Sequence, residues 1–509
     1  MTRTTSRLME MAAATPATRD RYADFLRAFS IGVVVFGHWL VAVVYWRGGS
    51  IEGINALEVI DGLWLATWVL QVMPLFFFVG GFSNLRSWDA ARRRGEGYAG
   101  FLYTRMLRMM RPTVVFLGVG VVVITILDAL NVADNAVFPA SELIARPLWF
   151  LGVYMIVIAL APPMVALHRR FGAGVVLVMA GIAIAVDILR FGSDLSAFGY
   201  VNYPVVWLLA HQLGFFYGDG RLDRLRWPLA AGGLAAMVAL VNLGPYPGSM
   251  VGLGRDEFSN MDPPTVAIAA LILWEVGFAM LLRPVMTRWL QRLRVWAGVI
   301  WVNTVIMTAF LWHLTAMLFG IGILYPLGWP QPEAGTAQWW ALRPVWVAAL
   351  LVILAGLVLV FWRFEARRAR PVERRSDATV AAAGSALGAT IVVLGVLGFA
   401  MGGMHQLFSE TGTELIVFNL NPLQNMLHIA AGAVLLRGSL GSPGLVRASA
   451  LLVMATMIVM AIVGMIGMGE GAHNWLAANT ADNLFHWVAA GWSVAVAASA
   501  RSLVPPSRT

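Results

Sequence analysis

Long apolar runs, broken by short polar or charged connections, recur along nearly the whole chain. Each run approaches the roughly 20 residues that a helix needs to cross the hydrocarbon core of a bilayer. About fourteen such runs stand out by hydropathy. The first ten centre near Val34, Val72, Val119, Ile156, Met179, Leu209, Ala235, Leu271, Thr308 and Val352, and the last four near Val393, Ala430, Met457 and Ala490. The pattern predicts an all-α, polytopic transmembrane helix bundle of ten spans followed by four.

The connections alternate in charge. Basic ones fall at 86–111, 169–170, 221–226, 283–294 and 363–375, while 52–61, 128–142, 187–194, 256–262 and 410–414 are acidic or mixed. Arginine-rich loops stay on the cytoplasmic side, which puts both termini in the cytoplasm. The polar, basic stretch 1–22 then reads as a cytoplasmic segment, and the first apolar run as a retained span rather than a removed signal. A ten-span region covers 23–365, a charged linker containing Pro371 covers 366–380, and a four-span domain covers 381–509. Within that last domain Asn421-x3-Asn425-x2-His428 recurs as Asn479-x3-Asn483-x2-His486. The two copies begin on the same side, so the duplication is expected to be parallel, about an axis along the membrane normal.

Composition supports the membrane reading and removes others. Hydrophobic residues make up 59% of the chain and charged ones 12%, and the mean hydropathy is +0.74. The net charge of +9 comes with no lysine at all. Arginines gathered in alternate short loops are a topology signal, so the bilayer and not nucleic acid is the expected partner. No cysteine is present, which excludes disulfides, thiolate metal sites and cysteine nucleophiles.

Ionisable residues inside spans are costly and mark sites. Asp24, Arg27 and His38 lie in the first span. Eleven residues return His38 to nearly the face of Arg27, about 16 Å further along the helix. That places Arg27 at the cytoplasmic mouth and His38 buried near mid-membrane, with Asp24 able to pair with Arg27. Arg105, Arg108 and Arg111 open the third span; they either anchor a cytoplasmic helix end or grip phosphate. The stretch Pro74 to Phe82 ends the second span on this reading, and its paired glycines, Gly81 among them, would allow close backbone approach. His211 and His313 lie within spans as packing residues or as chemistry. No HExxH spacing occurs, so no metal centre is expected in the first ten spans. In the tail, each Asn/Asn/His set shares one helix face, for interhelical hydrogen bonding or for a ligand or metal pocket.

Taken in order, these segments resemble the acyltransferase-3 family of membrane-bound O-acyltransferases over residues ~20–365. Arg27-x10-His38, preceded by Asp24, is similar to that family's first-span signature. The run from Phe76 to Phe82 resembles its FFxxSGF segment, with Gly80 in place of serine. Arg105-Met106-Leu107-Arg108 resembles its RxxR motif, with Pro112 one residue later than the pattern. Leu148-Trp149-Phe150-Leu151 and Leu311-Trp312-His313 are similar to its WFL and LWH elements. The last four spans resemble a small bacterial four-span domain of unknown function.

The family resemblance implies transfer of an acyl group from cytoplasmic acyl-CoA to a hydroxyl of an envelope glycan or glycolipid, at a bacterial inner membrane. His38 would be the general base, with Asp24 and His313 as further catalytic candidates. Arg27, Arg105, Arg108 and Arg111 would receive the donor's phosphates, and His211, Gly81 and Trp149 are secondary candidates. Acyl-CoA enters as a substrate, with no permanently bound cofactor, and the four-span domain is a candidate for assembly. The competing reading is a proton-coupled or solute transporter, against which the ten-span region shows no internal repeat.

Overall fold

A computed structural model describes residues 3–47, 50–131, 134–193, 195–254, 256–366, 376–469 and 471–501. Helices dominate. Among the described residues, eleven helical segments are long and apolar enough to cross a membrane. The remaining expected centres, Leu209, Ala430 and Ala490, lie in the helices Asn202–Gly218, Pro422–Gly438 and Thr480–Arg501. The expected linker falls largely on residues 367–375, outside the described residues.

Two features depart from the hydropathy pattern. Short antiparallel strand pairs, Ala42–Arg47 with Ser50–Asn55 and Thr413–Leu415 with Phe418–Leu420, qualify the all-helical expectation. Val43, Val44, Tyr45 and Trp46 are β-branched or aromatic, types that favour strands. An apolar run that could extend the first helix therefore leaves it at Val41. Val43 and Tyr45 are buried with Ala56 and Trp339 in a small cluster. The stretch expected to end the second span instead opens a helix, Met73–Arg93. Pro74, which has no N–H to leave unpaired, suits that first turn.

Packing divides the chain into two compact units. The first comprises Met1–Arg86 and Pro163–Ala366. Its helix Arg21–Val41 is capped by Asp20, which accepts from the Ala23 N–H at 2.9 Å and from the Tyr217 hydroxyl at 2.6 Å. Gly81 faces the backbone carbonyl of His211, and Gly214 faces that of Phe78, so closely that a Cβ at either position would overlap it. Two glycines thus let Met73–Arg93 and Asn202–Gly218 meet backbone to backbone.

The second unit comprises Ser87–Pro162 and Arg367–Thr509. Here Ala378–Gly402 packs on Pro422–Gly438, and Pro443–Gly467 on Thr480–Arg501. Gly97–Ala129 also packs on Ala378–Gly402, and Gly152 lies against Leu397. The repeated motif has one structure in both copies. Asn421 and Asn479 each cap their helix through the side-chain oxygen, to the N–H of Gln424 at 2.9 Å and of Asp482 at 3.0 Å. Asn425 presses on Gly398, and Asn483 on Gly464. Equivalent positions, 58 residues apart, bond to each other: Gln424 donates to Asp482 at 3.2 Å, and the His428 and His486 Nε2 atoms lie 3.0 Å apart. Like positions meet in this way only beside a two-fold axis relating the copies.

Replacing Gly81 by leucine should lower the thermal midpoint of the detergent-purified chain, since overpacking costs about 1–3 kcal/mol. Gly118→Ala, at a position with open space around it, should leave the midpoint within error. Equal midpoints for the two variants would refute the close helix contact.

Candidate active site

In the first unit, helix Arg21–Val41 lies against Leu293–Leu324. Arg27 Nε donates to Asn303 Oδ1 at 2.8 Å, and the rings of His38 and His313 meet at 2.8 Å. Both sets of contacts run in the same chain order, so the helices lie side by side in the same direction. The two levels are separated by about 15–16 Å of helix rise.

At the first level Asp24 pairs with Arg27 and, at 2.6 Å, with Arg19. Asn303 holds Arg27 and also donates to the Asp24 carbonyl at 3.0 Å. The Arg27 guanidinium is therefore held by a carboxylate and an amide. Asp24 lies 14 residues before His38 on one helix, or about 21 Å of rise. It therefore sits at the Arg27 level and away from the imidazoles.

The second level fixes a tautomer. His313 Nδ1 lies 2.5 Å from the carbonyl oxygen of Phe310. A carbonyl only accepts, so Nδ1 carries the proton and Nε2 holds a lone pair. His38 Nδ1–H must then donate to His313 Nε2, which makes Nε2 the basic nitrogen of His38. Trp39 Nε1 donates to the His313 carbonyl at 2.9 Å, and the two imidazoles stack with centroids 5.1 Å apart. The expectation that His38 is buried needs correction. His38 is exposed and sits in the last turn, because the helix ends at Val41 where the strand begins. The buried imidazole is His313.

His211 is buried, and its Nε2 lies 3.0 Å from Asn84 Nδ2. Gly81 and His211, singled out for separate reasons, belong to one helix contact. Arg105, Arg108 and Arg111 lie on Gly97–Ala129 in the second unit; Arg108 is exposed and the other two are half-buried. This helix has 33 residues and is about 50 Å long, against roughly 30 Å of hydrocarbon. Its apolar part from residue 112 onwards can fill the core, which leaves the arginines at one edge. Trp149 is half-buried at the second position of Leu148–Phe171, with its ring 6.2 Å from that of Phe150.

Four residues of the first unit had escaped the sequence reading. Asn303 and Thr308 are polar positions in a largely apolar helix, and Glu365, from Ala337–Ala366, accepts from the backbone at Met307 and Thr308. Glu275 is 3% exposed within Val266–Trp289, with no partner for either carboxyl oxygen among the described residues. Isolated polar residues within apolar runs were the available signal.

A mostly helical protein with this many apolar, membrane-length helices and an imidazole pair joining two of them is a polytopic membrane protein with a candidate proton-transfer centre. Residues 20–362 match the family model of an acyltransferase domain, Acyl_transf_3, and the chain belongs to that family. Residues 381–499 match a domain of unknown function, DUF4383. The chain is therefore a membrane acyltransferase fused to a second domain, in the order that the motifs indicated. No curated protein matches the chain, and no solved structure does.

An unpaired buried carboxyl costs about 1–3 kcal/mol, so Glu275→Met should raise the thermal midpoint of the purified chain. A fall would show that the carboxyl has a stabilising partner.

Proposed function

We propose that the protein transfers an acyl group from cytoplasmic acyl-CoA to a hydroxyl of a cell-envelope carbohydrate or glycolipid, with His38 as general base. The observation that carries this reading is the hydrogen-bonded series from His38 through His313 to the Phe310 carbonyl. It aligns one imidazole and leaves its Nε2 as the proton acceptor, the arrangement that general-base catalysis requires. His38 Nε2 takes the proton of the acceptor hydroxyl as its oxygen attacks the thioester carbonyl. When the intermediate collapses, the C–S bond breaks and the departing thiolate of CoA recovers that proton from the imidazolium. The products are an ester and free CoA, and no covalent enzyme intermediate is needed.

His313 is a positioning residue in this scheme, and Asp24 serves through Arg27. Arg27, held by Asp24 and Asn303, presents a guanidinium for the donor's phosphate. For Arg105, Arg108 and Arg111 the support is their motif and their place on an arginine-bearing helix edge. Phosphate is the ligand that this reading gives them. The membrane is the bacterial cytoplasmic one, crossed fourteen times with both termini inside, as the charge alternation of the connections supports. The four-span domain takes the role of an assembly module.

Label from radioactive acetyl-CoA should pass to the glycan or lipid fraction of membranes containing the protein. His38→Ala should reduce transfer by about 10²–10⁴, the usual worth of general-base catalysis, and His313→Phe, which removes only the positioning bond, should reduce it less. Thermal midpoints near wild type would separate lost chemistry from lost folding. Undiminished transfer by His38→Ala would end this assignment.

A further inference from the structure

The carboxylate of Glu365 accepts three hydrogen bonds from the interior of another helix of its unit. The Met307 N–H donates at 3.0 Å, the Thr308 N–H at 2.8 Å and the Thr308 hydroxyl at 2.7 Å. Interior helical amides ordinarily bond to the carbonyl four residues back. Here two successive ones also reach a carboxylate, with a hydroxyl beside them, so that three donors gather on one anion. Thr308 is 1% exposed, so these donors act where competition from water is weak.

The position is informative. Met307 lies one helical turn from Asn303, which holds Arg27, and Thr308 lies five residues before His313. These donors thus fall between the arginine level and the imidazole level of one helix. Glu365 itself comes from the last turn of Ala337–Ala366, and it lies beyond the acyltransferase match, which ends at residue 362.

We infer that the three donors of Met307 and Thr308 are a binding site for a phosphate group of the donor, and that Glu365 occupies it in the resting protein. The inference rests on the reading of acyl-CoA as donor. A phosphate presents the same anionic oxygens as the carboxylate to the same three donors, one helical turn from the residue that holds Arg27. Donor binding must first displace an internal competitor, so apparent affinity is reduced by the fraction of molecules in which Glu365 is seated.

The test is equilibrium binding of CoA and of pantetheine, which lacks phosphate, to the full-length protein in detergent. Glu365→Ala should tighten CoA binding by about three- to tenfold, as expected when a competing state is removed, and leave pantetheine binding unchanged. Glu365→Gln, which keeps the shape and loses the charge, should give a smaller gain. Adding Thr308→Val to Glu365→Ala should reverse part of it. A purely structural Glu365 would leave CoA affinity unchanged or weaker on removal, and either result overturns the proposal. So does equal tightening of pantetheine. If wild type and every variant fail to bind CoA, the donor reading falls as well, which separates that failure from this one.

Discussion

A polar side chain surrounded by hydrocarbon keeps its position only when another protein group meets it. The first unit applies this constraint twice to one pair of helices, at Arg27–Asn303 and at His38–His313. Two contacts at separate heights prevent either helix from sliding or rotating on the other. The charged group and the imidazole are thereby held at a set separation, although the bonds involved are few. The Trp39 bond to the His313 carbonyl adds a restraint on the backbone that carries one of the rings.

Much of this was legible along the chain, and the reasons differ by feature. The helices could be read because lipid demands long uniform apolar runs, and every expected centre falls in a helical segment or, for Val72, at the break within one. The hairpin after Val41 was hidden because hydropathy weighs valine and tryptophan alike in helix and strand. Arg27 and His38 were visible through their spacing on one helix. Their partners were not, since Asn303 and His313 lie 276 and 275 residues away, and such pairing is set by packing alone. The exposure of His38 followed from where the helix stops, which spacing does not reveal.

The boundary between the two family matches and the boundary between the two packed units do not coincide. Residues 87–162 belong to the acyltransferase match, yet they pack in one unit with the residues of the DUF4383 match. His405, whose ring lies 4.0 Å from that of Phe138 and 3.1 Å from the Ser141 hydroxyl, shows how this is done. Burial lowers the affinity of His405 for a proton, against the pull of Glu142 and Asp128. The second domain has become part of the surroundings of the first, so removing it would expose helix surface that now has a protein neighbour.

The two copies of the repeat in the second unit differ at several positions, one of which is bonded to its own equivalent. Where one copy has Gln424, the other has Asp482, and these two are bonded across the local axis. In a dimer of identical halves, whatever residue stood there would face itself, and two aspartates would repel. Joining both halves in a single polypeptide lets each side mutate alone. A self-opposed position can then become a complementary donor and acceptor, and the covalent tandem is free of a restriction that symmetry imposes on a pair of separate chains.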